Sequence, residues 1–83
     1  MPYIKVADRS KYDNVLCNMP VFANKGEMEY CIFVLMKQYM RHRENRYTHL
    51  HDCTYAVQHC ADEFRRRYLD IRENEAIIEN GDV

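Results

Sequence analysis

A chain of 83 residues falls below the roughly 100–150 residues of a typical domain, which leaves room for one domain and excludes two independent cores. Its 12 Lys and Arg against 13 Asp and Glu give a net charge of −1, which excludes the global basic excess of a nonspecific nucleic-acid binder. Apolar residues at 47% exclude a disordered segment, yet a domain of this size is marginal alone, so oligomerisation is the expected source of further stability.

The first seven residues read as a short extended arm. Charged Asp8, Arg9 and Lys11 follow at once and deny it the apolar stretch of a secretory leader. Asp8 or Ser10 is placed to cap a first helix over residues 8–18, with Tyr12, Val15, Leu16 and Met19 at helical spacing and Pro20 as its stop. A second helix is expected over 26–43, with Glu27 and Glu29 at its start and Arg41, His42 and Arg43 at its end, as the helix dipole favours. Within it, Met28, Cys31, Ile32, Leu35, Met36, Tyr39 and Met40 form one buried face. Tyr30, Phe33 and Val34 point away from that face, so this helix needs two covers. A second copy across a two-fold axis supplies the missing one; the arm of the same chain is the alternative.

A third helix, capped by Thr48, is expected over 48–69 with an inner stripe of Leu50, Cys53, Val57, Cys60, Phe64 and Ile71. Arg67 breaks that stripe where spacing alone calls for a core residue. The tail over 70–83 carries a net −4 and reads as an acidic fourth helix, or a continuation, that contacts through Ala76, Ile77 and Ile78 and ends at Gly81. Residues 37–46 carry +3, so the two charged segments are matched to attract each other within or between chains. The fold class is therefore all-α, a small bundle of three to four helices assembled as a symmetric homo-oligomer. The longest apolar run, over 30–36, is far short of the ~20 residues that span a bilayer, and a cytosolic protein without a membrane partner is expected.

Four cysteines sit in helical patterns and read as reduced core thiols, which also suits the cytosol. His49, His51, Cys53, His59 and Cys60 are zinc-ligand types, but only His49 and Cys53 are i, i+4 neighbours and no second ligand pair follows. No metal or cofactor is expected. Two glycines cannot build a phosphate loop or dinucleotide fingerprint, and His59 beside Cys60 points to a different helix face, so no nucleophile has its base and no enzyme is expected.

The informative cluster is Arg65-Arg66-Arg67. Three successive arginines fan over about 200° of a helix, so two at most share one ligand. Arginine suits bidentate phosphate contacts, and tyrosine offers a face for base stacking. Tyr55, His59, Asp62 and Arg66 form one polar stripe, with Arg65 beside it and Tyr47 near the helix start. The plainer reading is a solvated face with Arg66 paired to Asp62 or Glu63.

Met1-Pro2-Tyr3-Ile4 with Arg9, Lys25-Gly26-Glu27-Met28-Glu29-Tyr30, Glu63-Phe64-Arg65-Arg66-Arg67 and Glu79-Asn80-Gly81-Asp82-Val83 together resemble a group of short phage and bacterial proteins. The resemblance brings Tyr3 and Arg9 into the candidate site and transfers no catalytic residue. By analogy of architecture alone, small all-helical phage proteins include sponges that sequester cyclic-nucleotide immune signals. The expected function is then non-catalytic counter-defence in the host cytosol, binding a small anionic nucleotide through Tyr3, Arg9, Tyr47, Tyr55, His59, Arg65 and Arg66. The competing expectation is a protein-binding adaptor or inhibitor that uses the acidic tail. No long nucleic acid is expected as a partner.

Overall fold

A computed structural model describes residues 3–83; Met1 and Pro2 of the expected arm lie outside the described residues. Every regular element among them is helical. The chain divides into two compact units, Met1–Tyr30 and Cys31–Val83.

In the first unit the expected helix over 8–18 is split. A 3-10 turn, Val6–Asp8, precedes α1, Ser10–Cys17. Neither Asp8 nor Ser10 caps it. The residue before α1 is Arg9, already helical at φ −77°, ψ −28°, and the extended conformation that lets a side chain cap a helix is absent there. Arg9 instead donates from Nε to the Ile4 carbonyl at 3.3 Å. Asn18 ends α1 by donating from both its backbone and its side chain to the Asn14 carbonyl, and Pro20 prevents continuation.

The second helix, α2, runs over Lys25–Arg41 and has a side-chain cap. Asn24 Oδ1 accepts the Glu27 N–H at 2.9 Å, and the Glu27 carboxylate accepts the Ala23 N–H at 2.6 Å. Two otherwise orphaned amides are thus satisfied reciprocally. The helix starts one residue before the expected boundary because Asn24, and not the glycine, sets it.

In the second unit α3, Tyr47–Phe64, starts one residue before Thr48. Arg46, extended at φ −104° and ψ 152°, occupies the capping position without a side-chain bond. The expected third and fourth helices are one object. Phe64, Arg65, Leu69 and Asp70 all keep right-handed helical dihedrals, and a π-helical segment, Arg65–Leu69, joins α3 to α4, Asp70–Asn80. These 34 consecutive helical residues extend about 50 Å at ~1.5 Å each. Gly81, at φ 85°, closes α4 and donates its N–H to the Ile77 carbonyl at 2.8 Å.

The π segment resolves the anomaly at Arg67. Asp70 donates to the carbonyl of Arg65, five residues back, so one extra residue is wound into the helix. At 3.6 residues per turn this sets everything beyond it back by about 100°. Tyr68 then continues the apolar stripe, its ring 4.8 Å from that of Phe64, and Leu69 and Ala76 follow in line. Ile71, expected on the stripe, is rotated off it.

The expected buried faces do not form within one chain. Among the described residues only Cys53 is buried, at 6% exposure, with its thiol 3.6 Å from the Met36 carbonyl. Cys31, Ile32, Val34, Met36 and Met40 of α2 and Val57 of α3 are half-buried. Leu35, Leu50, Phe64, Ile71 and Tyr68 stand exposed, and so does Phe33. Helical periodicity therefore located faces that need a cover, and among the described residues these faces stay largely open.

Candidate functional site

The α3 sequence repeats an aromatic ring every fourth residue, and i, i+4 side chains meet on a helix surface. Tyr47, His51, Tyr55 and His59 accordingly form a line of rings, with successive centroids 5.7, 4.3 and 6.2 Å apart. The line is about 18 Å long at ~1.5 Å per residue. The predicted residues Tyr47, Tyr55 and His59 are therefore brought together. His51 is the member that the residue types did not single out, although the same fourfold spacing marks it; its ring fills the gap between two tyrosines.

The arginines follow about two turns later and are already engaged. Arg66 donates to Glu63 in a forked contact, Nη2 to Oε1 at 2.6 Å and Nε to Oε2 at 3.3 Å. Arg67 donates from Nε to the same Oε1 at 2.6 Å. Arg65 lies 3.8 Å from Asp62, which also accepts from the Gln58 amide at 3.1 Å. Two arginines thus share one carboxylate and the third turns elsewhere, as the angular fan requires. The polar stripe expected to include Asp62 and Arg66 divides here: the rings continue up to His59, and the charges close on one another beyond it.

Glu63 is the electrostatic centre of this turn. Hydrogen bonds from Arg66 and then Arg67, reinforced by their charge, hold its carboxyl down at about 2 against an ordinary 4.5, and Arg66 is raised in return. All three side chains face solvent to some degree, so the cluster is a local clamp whose carboxylate occupies the place an anionic ligand would take.

The remaining expected residues lie elsewhere. Tyr3 and Arg9 belong to the first unit, and Tyr47, Tyr55, His59, Arg65 and Arg66 to the second. The cysteines are free thiols, but Cys17 and Cys60 are exposed and are not core residues. His49 Nδ1 lies 2.9 Å from the Glu44 carbonyl, within hydrogen-bond reach. Among the described residues no three His, Cys, Asp or Glu side chains converge as a metal site. No helix among them is long and apolar enough to cross a membrane.

A second feature of the same unit is an open groove of about 390 Å³ between α2 and α3. Phe33, Met36 and Met40 form one wall, Leu50, Cys53 and Thr54 the other, and Lys37 and Arg41 stand with them on the α2 side.

Among known families, one described as a domain of unknown function, DUF6899, matches residues 1–83. No curated protein and no solved structure matches the chain.

Proposed function

The chain belongs to the DUF6899 family, and from the geometry of its long helix we propose that it is a non-catalytic binding protein that sequesters a small anionic nucleotide signal, as a phage counter-defence sponge would. The observation that carries this reading is the contiguous line Tyr47, His51, Tyr55, His59, which ends about two turns before a cluster of arginines. A base stacks on the rings with little sequence demand, and the phosphate is taken by Arg66 with Arg65 beside it. The ligand phosphate replaces Glu63 as the acceptor, so binding exchanges one charge-assisted contact for another and leaves neither guanidinium without a partner. Tyr3 and Arg9 enter through the family resemblance alone.

Calorimetric titration with a panel of cyclic and linear nucleotides tests the reading. A charge-assisted hydrogen bond contributes about 1.5–3 kcal/mol, so Arg66→Ala should weaken binding tenfold or more. Glu63→Gln should strengthen it, because the competing carboxylate charge is gone. No heat with any nucleotide, or affinity indifferent to both substitutions, favours the second reading, a protein-binding adaptor or inhibitor. That alternative draws on the exposed apolar side chains of the second unit and its acidic end.

A further inference from the structure

The groove between α2 and α3 is apolar at its base, has two cations on its α2 side, and is open. Lys37 and Arg41 make no ion pair among the described residues, and neither do Glu73 and Glu79 of α4. Allowing for the extra residue of the π segment, Leu69, Glu73, Ala76 and Ile77 share one face of the long helix, at i, i+4, i+7 and i+8. That face is apolar with acidic residues in and beside it, the chemical complement of the groove. An amphipathic helix laid in a hydrophobic groove is a common mode of recognition.

The chain's own α4 cannot fill this groove. Thr54 and Ile77 lie on one uninterrupted helix, 23 residues and about 34 Å apart, with no turn between them. We therefore propose that α4 of a second copy occupies the α2/α3 groove, each copy giving its α4 to the other in an antiparallel pair of long helices. Leu69, Ala76 and Ile77 pack against Phe33, Met40 and Leu50 of the other chain, while Glu73 and Glu79 approach Lys37 and Arg41. A two-fold axis then falls beside Phe64, whose ring is 65% exposed in the single chain, and brings Phe64 and Tyr68 of both copies together. The π segment is what puts the groove side of α3 and the Leu69–Ile77 side of α4 on one line. This pairing does not rest on the nucleotide reading.

Reciprocal charge reversal tests it on the full chain. K37E/R41E leaves an acidic groove with an acidic α4, and E73K/E79K leaves a basic groove with a basic α4. Each variant alone should self-associate at least tenfold more weakly than the parent by sedimentation equilibrium, since every charged contact at the groove becomes repulsive. Mixed together, both grooves are again matched, so the two variants should co-assemble as a heterodimer with near-parent affinity. Circular dichroism checks that helix content is kept. If a reversal lowers it, the neutral pair K37Q/R41Q and E73Q/E79Q should still weaken self-association by a few-fold. A parent chain monomeric at 100 µM, either variant associating as well as the parent, or a mixture that does not co-assemble would overturn the proposal.

Discussion

The clamp around Glu63 makes a quantitative statement about titration. An ordinary glutamate, with a value near 4.5, is about 5% ionised at pH 3.2, whereas Glu63, held at about 2, is about 94% ionised there. Carbon-detected NMR of the side-chain carboxyls should show Glu63 keeping its ionised shift through this range. Arg66 is the first cause and Arg67 the second, so Arg66→Ala should move the midpoint up toward 4.5 and Arg67→Ala should move it the same way by less. The folded value is depressed, so the stabilisation from this pair is fully present above pH 4.5 and is lost as pH falls through about 2. A Glu63 midpoint between 4 and 4.5 in the parent would refute the shared clamp and with it the view that a ligand must displace a carboxylate. A low midpoint unchanged in Arg66→Ala would refute the assignment of cause.

Two further outcomes follow from the local structure. Asn24→Ala removes the acceptor for the Glu27 N–H and should lower stability by about 1 kcal/mol in denaturant melts; an unchanged midpoint would show that the cap contributes nothing. A thiol reagent should label Cys17 and Cys60 quickly and Cys53 slowest, because Cys53 alone is buried, and Cys53 reacting as fast as Cys17 would contradict the packing of α2 on α3.

The helical class, the second helix and most boundaries were legible because periodicity and capping chemistry are local. The start of α2 is an instance: Asn24 and Glu27 sit three apart in the sequence, and the bonds they make span only residues 23 to 27. The tail as a continuation of the third helix was one of its two readings, but the wide turn that makes the junction was not legible, since residues 65–69 carry no glycine or proline and nothing in their composition reports a five-residue hydrogen bond. Its trace was Arg67 in the core stripe, which has meaning only once the winding is known. Burial was misread for a different reason. Apolar spacing says which face wants cover and is silent on whether the same chain supplies it, so Cys60 and Phe64 read as core and stand exposed. At the site, residue types located the rings and the arginines, while the preference of Arg66 and Arg67 for Glu63 depends on which of two neighbouring acids the winding presents.

The wide turn at Arg65–Leu69 also marks where this helix can lose a codon. Deleting one codon within it lets the turn relax to ordinary winding with α4 still in phase, whereas a deletion elsewhere between Tyr47 and Asn80 swings everything beyond it by about 100° around the helix axis. Outside that turn the helix should therefore bear substitutions far better than frame-preserving length changes, which survive only when a compensating change restores the phase. The loop over residues 42–46 carries no such phase and can absorb them. Among chains of this family, variation in length should collect in that loop, and the distance from the first ring of the line to the closing glycine should stay constant or fall by the single residue of the wide turn.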